Sequence, residues 1–169
     1  MSRAFIKEPD GGPHEDEIPE RHVSEHANYV TPAGRKQLED EIGRLRAERL
    51  GAAADPQEAD AGERLAYLDR ELRYFTSRLE SAILVAPSDQ PADEVAFGAR
   101  VQVRGSDGSD RCFAIVGEDE ADLASGKVSY VSPLARALLG AHVGDAVTWK
   151  RPAGDLQLTV MALNDPDAQ

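Results

Sequence analysis

Between Leu65 and Ile83 the apolar residues recur in alternating steps of three and four: Leu65, Leu68, Leu72, Phe75, Leu79, then Ala82 with Ile83. That is the narrow a/d seam of a coiled-coil strand, tighter than the stripe of an ordinary surface helix. Arg64, Asp69, Arg70, Glu71, Arg73, Arg78 and Glu80 fill the remaining positions, which predicts that the other faces stay in water. So narrow a seam needs a partner strand. Upstream, Leu38, Ile42 and Leu45 repeat the spacing of four and three, and the two runs predict an antiparallel helical hairpin. A larger bundle is the competing arrangement, but the chain holds no third helix of comparable length.

Thr31-Pro32 opens the first arm, Thr as N-cap and Pro at the first helical position, where its missing N–H costs nothing. This arm is expected to fade at Gly51, and residues 51–62 to form the hairpin tip. Two D-x-x-E units lie there, Asp55 with Glu58 and Asp60 with Glu63. Each has the form of a capping box, in which Asp caps the helix and Glu reaches back from the third position. Carboxylates at the apex of a projecting rod also suit a divalent cation, since hard cations take oxygen ligands. The spacing is compatible with both.

Beyond Val85 the composition changes. Residues 86–94 are expected to be a linker, and after them the apolar period drops to two. Strands are predicted over 99–104, 111–116, 127–131, 146–150 and 155–163, with an acidic turn at 117–122. That turn lacks the alternating ligands and terminal Glu of a calcium loop. Ser132 caps, Pro133 starts and Gly140 ends one short helix between the third and fourth strands. The expected fold is α+β: a coiled-coil hairpin over 29–85, then a small β-rich domain with one helix over 95–165.

With 31 acidic residues against 19 basic ones, the formal charge of −12 argues against free DNA or RNA as the main partner, because duplex binding is dominated by neutralising phosphates. Four Phe, four Tyr and one Trp leave little for a base-stacking platform. Cys112, the single cysteine, is expected to be a buried small hydrophobe. No apolar run approaches the roughly 20 residues of a membrane span, and the first residues lack a signal-peptide core. A cytoplasmic monomer is expected. Residues 1–28 are polar and interrupted by Pro9, Gly11-Gly12-Pro13 and Pro19, and are expected to be a disordered acidic tail. His22 and His26 stand four apart, but two donors fall short of a zinc site.

Several stretches resemble, in order, the Gre family of bacterial transcript-cleavage and elongation factors. They are Tyr29-Val-Thr-Pro-x-Gly34, Ile115-Val-Gly-Glu-Asp-Glu-Ala-Asp122, Ser132-Pro-Leu-Ala-Arg-Ala-Leu-Leu-Gly140, Val143-Gly-Asp-x-Val147 and the turn Pro152-Ala-Gly154. The second arm from Leu68 to Glu80 resembles the GreB branch closely. The resemblance spans 29–164 and implies a coiled coil followed by an FKBP-like domain. It implies that this domain docks at the rim of the RNA polymerase secondary channel; the short helix, with Arg136 as its one charge, is expected to carry that contact through Ser132, Pro133, Leu134, Ala135, Arg136, Ala137 and Leu138. The hairpin would then enter the channel, meeting nascent RNA only within the elongation complex. The family's tip, D-x-S-E-N-A-x-Y, helps hold the second catalytic magnesium of the polymerase. The factor would thus be no enzyme and would carry no cofactor of its own.

At the tip the chain departs from that pattern. Asp60-Ala-Gly-Glu63 with Tyr67 keeps D-x-x-E-x-x-x-Y but lacks the Ser and Asn, and Asp55-Pro-Gln-Glu58 keeps only the two acids. Aligned at Thr31 and Asp69, the hairpin is also short of the GreB branch by roughly two turns per arm, which withdraws the tip by about 10 Å. The expectation is a channel-binding regulator with weak or no cleavage stimulation; the alternative is an active stimulator of cleavage. Outside the family, a free-standing metal-dependent hydrolase and a coiled-coil adaptor are the other classes.

Overall fold

The computed structural model describes residues 19–54 and 60–164. Its elements are β1 (Tyr29–Val30), α1 (Pro32–Ala54), α2 (Ala61–Glu80), β2 (Ile83–Leu84), β3 (Arg100–Gly105), β4 (Asp110–Val116), β5 (Lys127–Ser129), α3 (Pro133–Leu138), β6 (Ala146–Trp149) and β7 (Leu156–Leu163).

Helix α1 starts as its sequence dictates. The Thr31 hydroxyl accepts the Gly34 amide at 2.9 Å, with Pro32 opening the first turn. It does not fade at Gly51. The alanines that follow are the best helix formers, and Ala52 is buried in a cluster with Leu45 and Leu68, so the helix continues to Ala54. Helix α2 begins at Ala61 with Asp60 in the capping position, but the Asp60 carboxylate makes no capping hydrogen bond, so the reciprocal box expected with Glu63 is not formed at that end. Leu38, Ile42, Leu45 and Leu68 are buried along the seam, while Leu65, Leu72, Phe75 and Leu79 are partly buried.

Two residues assigned to the water-facing sides are buried instead. Glu71 is 6% and Arg78 2% exposed. Each meets an opposite charge brought by a distant segment, Arg21 for Glu71 and Asp119 for Arg78. The first of these segments is part of the expected tail. Residues 19–28 lie along α2: Arg73 pairs with Glu20, Arg21 donates to Glu71 at 2.7 Å, and the Arg21 guanidinium sits 3.8 Å from the Tyr74 ring centre. Asn28 closes the stretch by donating to the Arg78 carbonyl at 2.6 Å.

Strands β1 and β2, too short for any periodic signal, pair in parallel and tie the two ends of the hairpin together. The remaining strands form one mixed sheet in the order β5-β4-β3-β7-β6, parallel between β4 and β5 and antiparallel elsewhere. A bulge interrupts the β3–β7 register between Gln102 and Val103. Val101, Val103, Ile115, Val128, Leu158 and Val160 line one face of this sheet, and α3 packs Leu134, Ala135 and Leu138 into the same core. The stretch expected as a linker carries a short 3₁₀ turn, Pro87–Asp89, and Glu94 bridges to His142 at the edge of the second unit. Cys112 is free and half-buried on β4.

Candidate functional site

Three places carry the candidate residues: the hairpin's free end, α3, and the root where the hairpin meets the sheet. At the free end, Asp60 at the N-cap and Glu63 on the first turn of α2 are exposed, with Tyr67 exposed one turn behind. Spacings of three and four put all three on one face of the helix. Asp55 and Glu58 lie outside the described residues. The arms are pinned near this end by an ion pair between Arg49 and Asp69. Among the described residues no group of three or more His, Cys, Asp or Glu is arranged to hold a metal ion. His22 and His26 are exposed in the strap along α2.

Helix α3 is capped as expected, with the Ser132 hydroxyl accepting the Ala135 amide at 3.2 Å. Of the seven residues expected to dock, Leu134, Ala135 and Leu138 are core residues and offer a partner no surface. Pro133 and Arg136 are exposed, and Ser132 and Ala137 are half-exposed. Leu139 and Val143, next along the chain, add exposed apolar surface beside them. The outward face is therefore one cation set among small and apolar groups.

The root holds charged residues that pattern reading left in water. The acidic turn after β4 folds against both arms. Asp119 accepts from Arg78 Nε at 2.5 Å and from the Tyr74 hydroxyl at 2.7 Å. Glu118 lies 3.7 Å from Arg78 Nη2. Glu120 accepts from the Thr31 hydroxyl at 2.5 Å, and Lys127 on β5 lies 3.3 Å from its other oxygen. Gly117 permits the approach: a Cβ there would strike the Tyr29 carbonyl. Tyr29, Phe97 and Tyr130 complete the joint as three mutually tilted rings with centres 5.4–5.8 Å apart. Burial and the Asp119 carboxylate push the Tyr74 phenol up to about 12, against the opposing pull of Arg78 and Arg21. The one available signal for this joint was the run Glu118-Asp-Glu120, which spacing alone could only exclude as a calcium loop.

Residues 90–165 match the family model described as "Transcription elongation factor, GreA/GreB, C-term". The transcription elongation factor GreB of Neisseria meningitidis is 37% identical over 155 residues, spanning 83% of this chain and 95% of its own. The chain belongs to the GreA/GreB family of transcription elongation factors. GreA of Ralstonia nicotianae is 33% identical over 150 residues, spanning 79% of this chain and 95% of its own. Relatives thus carry both branch names, and the likeness of 68–80 to the GreB branch does not extend to an assignment of the whole chain. Gfh1 of Thermus thermophilus, a GreA factor homologue, shares 21% identity over 83% of this chain and 100% of its own, with a TM-score of 0.38. Membership of the family makes this elongation factor an accessory protein and not an enzyme. Eighty-three per cent of 169 residues is about 140, so about 15 of the 155 aligned positions with the Neisseria protein have no residue here.

Proposed function

We propose that the protein binds RNA polymerase at the secondary channel, with the β-domain of 95–165 at the rim and the hairpin of 29–85 inside, and modulates elongation with little stimulation of transcript cleavage. What supports this is our reading of the hairpin as short. Helices α1 and α2 have 23 and 20 residues. We assign the shortfall of about 15 aligned positions to these arms. Divided between them it withdraws the tip by about 10 Å at 1.5 Å per residue. Metal co-ordination needs oxygens within about 2.0–2.6 Å. The deficit therefore outweighs the chemical likeness of Asp60 and Glu63 to the family's tip acids.

Docking through the outward face of α3, at Pro133, Arg136 and Ala137, is supported by its exposure and by the single cation it presents. The acids at the free end then act on the channel by charge, an effect that salt weakens because the Debye length is about 8 Å at physiological ionic strength. One observation favours an active stimulator: Asp60, Glu63 and Tyr67 share one exposed face, as a metal-directed tip requires. The test is RNA shortening in a stalled elongation complex with and without the factor, beside the Asp60→Ala/Glu63→Ala double variant. The expected result is competition with a cleavage-active Gre factor and little shortening by this protein itself. Strong magnesium-dependent shortening that the double variant abolishes would establish the active stimulator instead.

A further inference from the structure

Among the described residues the largest fully buried side chain is a cation, Arg78, near the end of α2. Its Nε donates to Asp119 at 2.5 Å, with Glu118 3.7 Å from its Nη2, and both acids belong to the sheet-bearing half of the chain. One turn earlier, the Tyr74 hydroxyl takes the second Asp119 oxygen at 2.7 Å. Both oxygens of one carboxylate are thus held by α2. The neighbouring Glu120 is held from the other arm by Thr31 at 2.5 Å. Asp119 and Glu120 consequently fasten the two arms to one loop, with the Glu118 carboxylate beside Arg78 but outside hydrogen-bond distance.

Apolar contact at such a joint would be non-directional and would tolerate sliding. Charge-assisted hydrogen bonds demand distance and angle together, and Arg presents its donors in a fixed fork. A buried ion pair contributes little net stability over an apolar pair of the same volume, but it penalises any packing that separates the charges. The effect is magnified by leverage. At 1.5 Å per residue the 23 residues of α1 span about 34 Å, so a tilt of about 10° at the root moves the tip by about 6 Å.

We infer that Arg78 is a positioning residue: paired with Asp119, it sets the direction in which the hairpin leaves the β-domain, and so where the tip arrives once that domain is docked. The consequence at the polymerase rests on the channel-binding reading above, whereas the geometry is testable in the free protein. Spin labels at Leu50→Cys and Met161→Cys, both exposed sites, in a Cys112→Ala background report the distance from hairpin to sheet. The Arg78→Met/Asp119→Leu variant replaces the pair by apolar side chains, and also removes the cation beside Glu118 and the acceptor of the Tyr74 hydroxyl. It is expected to lower the unfolding midpoint, and in the molecules that remain folded the distance distribution is expected to at least double in width. Arg78→Lys, which keeps the charge and loses the fork, is expected to widen it less. A distribution as narrow as that of the unsubstituted protein in both variants would overturn the inference, whatever happens to stability. Should the double variant fail to fold, Arg78→Lys alone decides: widening supports the inference and an unchanged width overturns it. With polymerase, the widened variant is expected to compete about 10-fold less well against a Gre factor. If the unsubstituted protein does not bind polymerase, the channel reading fails while the distance measurement still judges Arg78.

Discussion

At position 74 a phenol stands half-buried between a carboxylate and two guanidiniums. Burial first, and the hydrogen bond to Asp119 second, raise its ionisation from 10.0 to about 12, while Arg78 and Arg21 oppose the shift. The folded chain therefore keeps a proton that the unfolded chain releases above pH 10. Stability from this group is complete below pH 10 and is lost as the pH climbs toward 12. Titration of phenolate absorbance is expected to show a late-ionising tyrosine that Tyr74→Phe removes. The same variant is expected to soften the alkaline fall of the unfolding midpoint between pH 10 and 12. Tyr130 is raised as well, chiefly by burial, so the comparison must be made against Tyr74→Phe and not against a tyrosine-free baseline. A Tyr74→Phe curve that superimposes on the parent's would show that Asp119 does not hold this hydroxyl in solution.

The hairpin separates residues that look alike in sequence by how the two arms close on one another. Leu68 is 2% exposed and packs with Leu45 and Ala52, whereas Leu72 is only partly buried against that cluster. Leu68→Ala is expected to cost about 2–5 kcal/mol, the usual range for a buried leucine, and Leu72→Ala less. Arg73→Ala removes an exposed pair with Glu20 and is expected to cost at most about 1 kcal/mol. Urea unfolding of the three variants tests the order. Equal costs would mean that the seam is misplaced. Periodicity found this element because a coiled-coil seam repeats every few residues and needs no knowledge of what lies beyond the partner strand. It missed the true end of α1, since Ala52 contributes to the seam only when Leu68 of the other arm covers it.

On the scale of the whole molecule, the net charge of −12 gives the isolated cation on the outer face of α3 its interest. Arg136 is exposed, and its neighbours Pro133, Ala137 and Leu139 are uncharged. Under the proposed docking, Arg136→Glu is expected to weaken binding to core polymerase by at least tenfold with the circular dichroism spectrum unchanged. Unchanged affinity in a folded variant would move the docking surface elsewhere on the β-domain. Leu134 and Leu138 are unsuitable for such a test, because they are core residues and their loss would unfold the domain first.

The sequence by itself determined the features that neighbours along the chain decide: two seams at helical spacing, the Thr31-Pro32 and Ser132-Pro133 helix starts, and strands of period two within a residue or two of their observed ends. It also determined the family, through short motifs kept in order. Only the tertiary structure decided which charges are buried. Glu71 and Arg78 stand seven apart beside the seam, where spacing marks a flanking position but not whether another segment covers it. Their burial arises because Asp119, 41 residues away, is brought to Arg78, and Arg21, 50 residues away, is brought to Glu71. Likewise the polar stretch before Tyr29 holds to α2 through an ion pair and a ring contact that require α2 to exist first. A charged side chain stays in water unless another element supplies its counter-charge, because the desolvation penalty of an unpaired ion is too large. The supplier is set by topology, which no local spacing records.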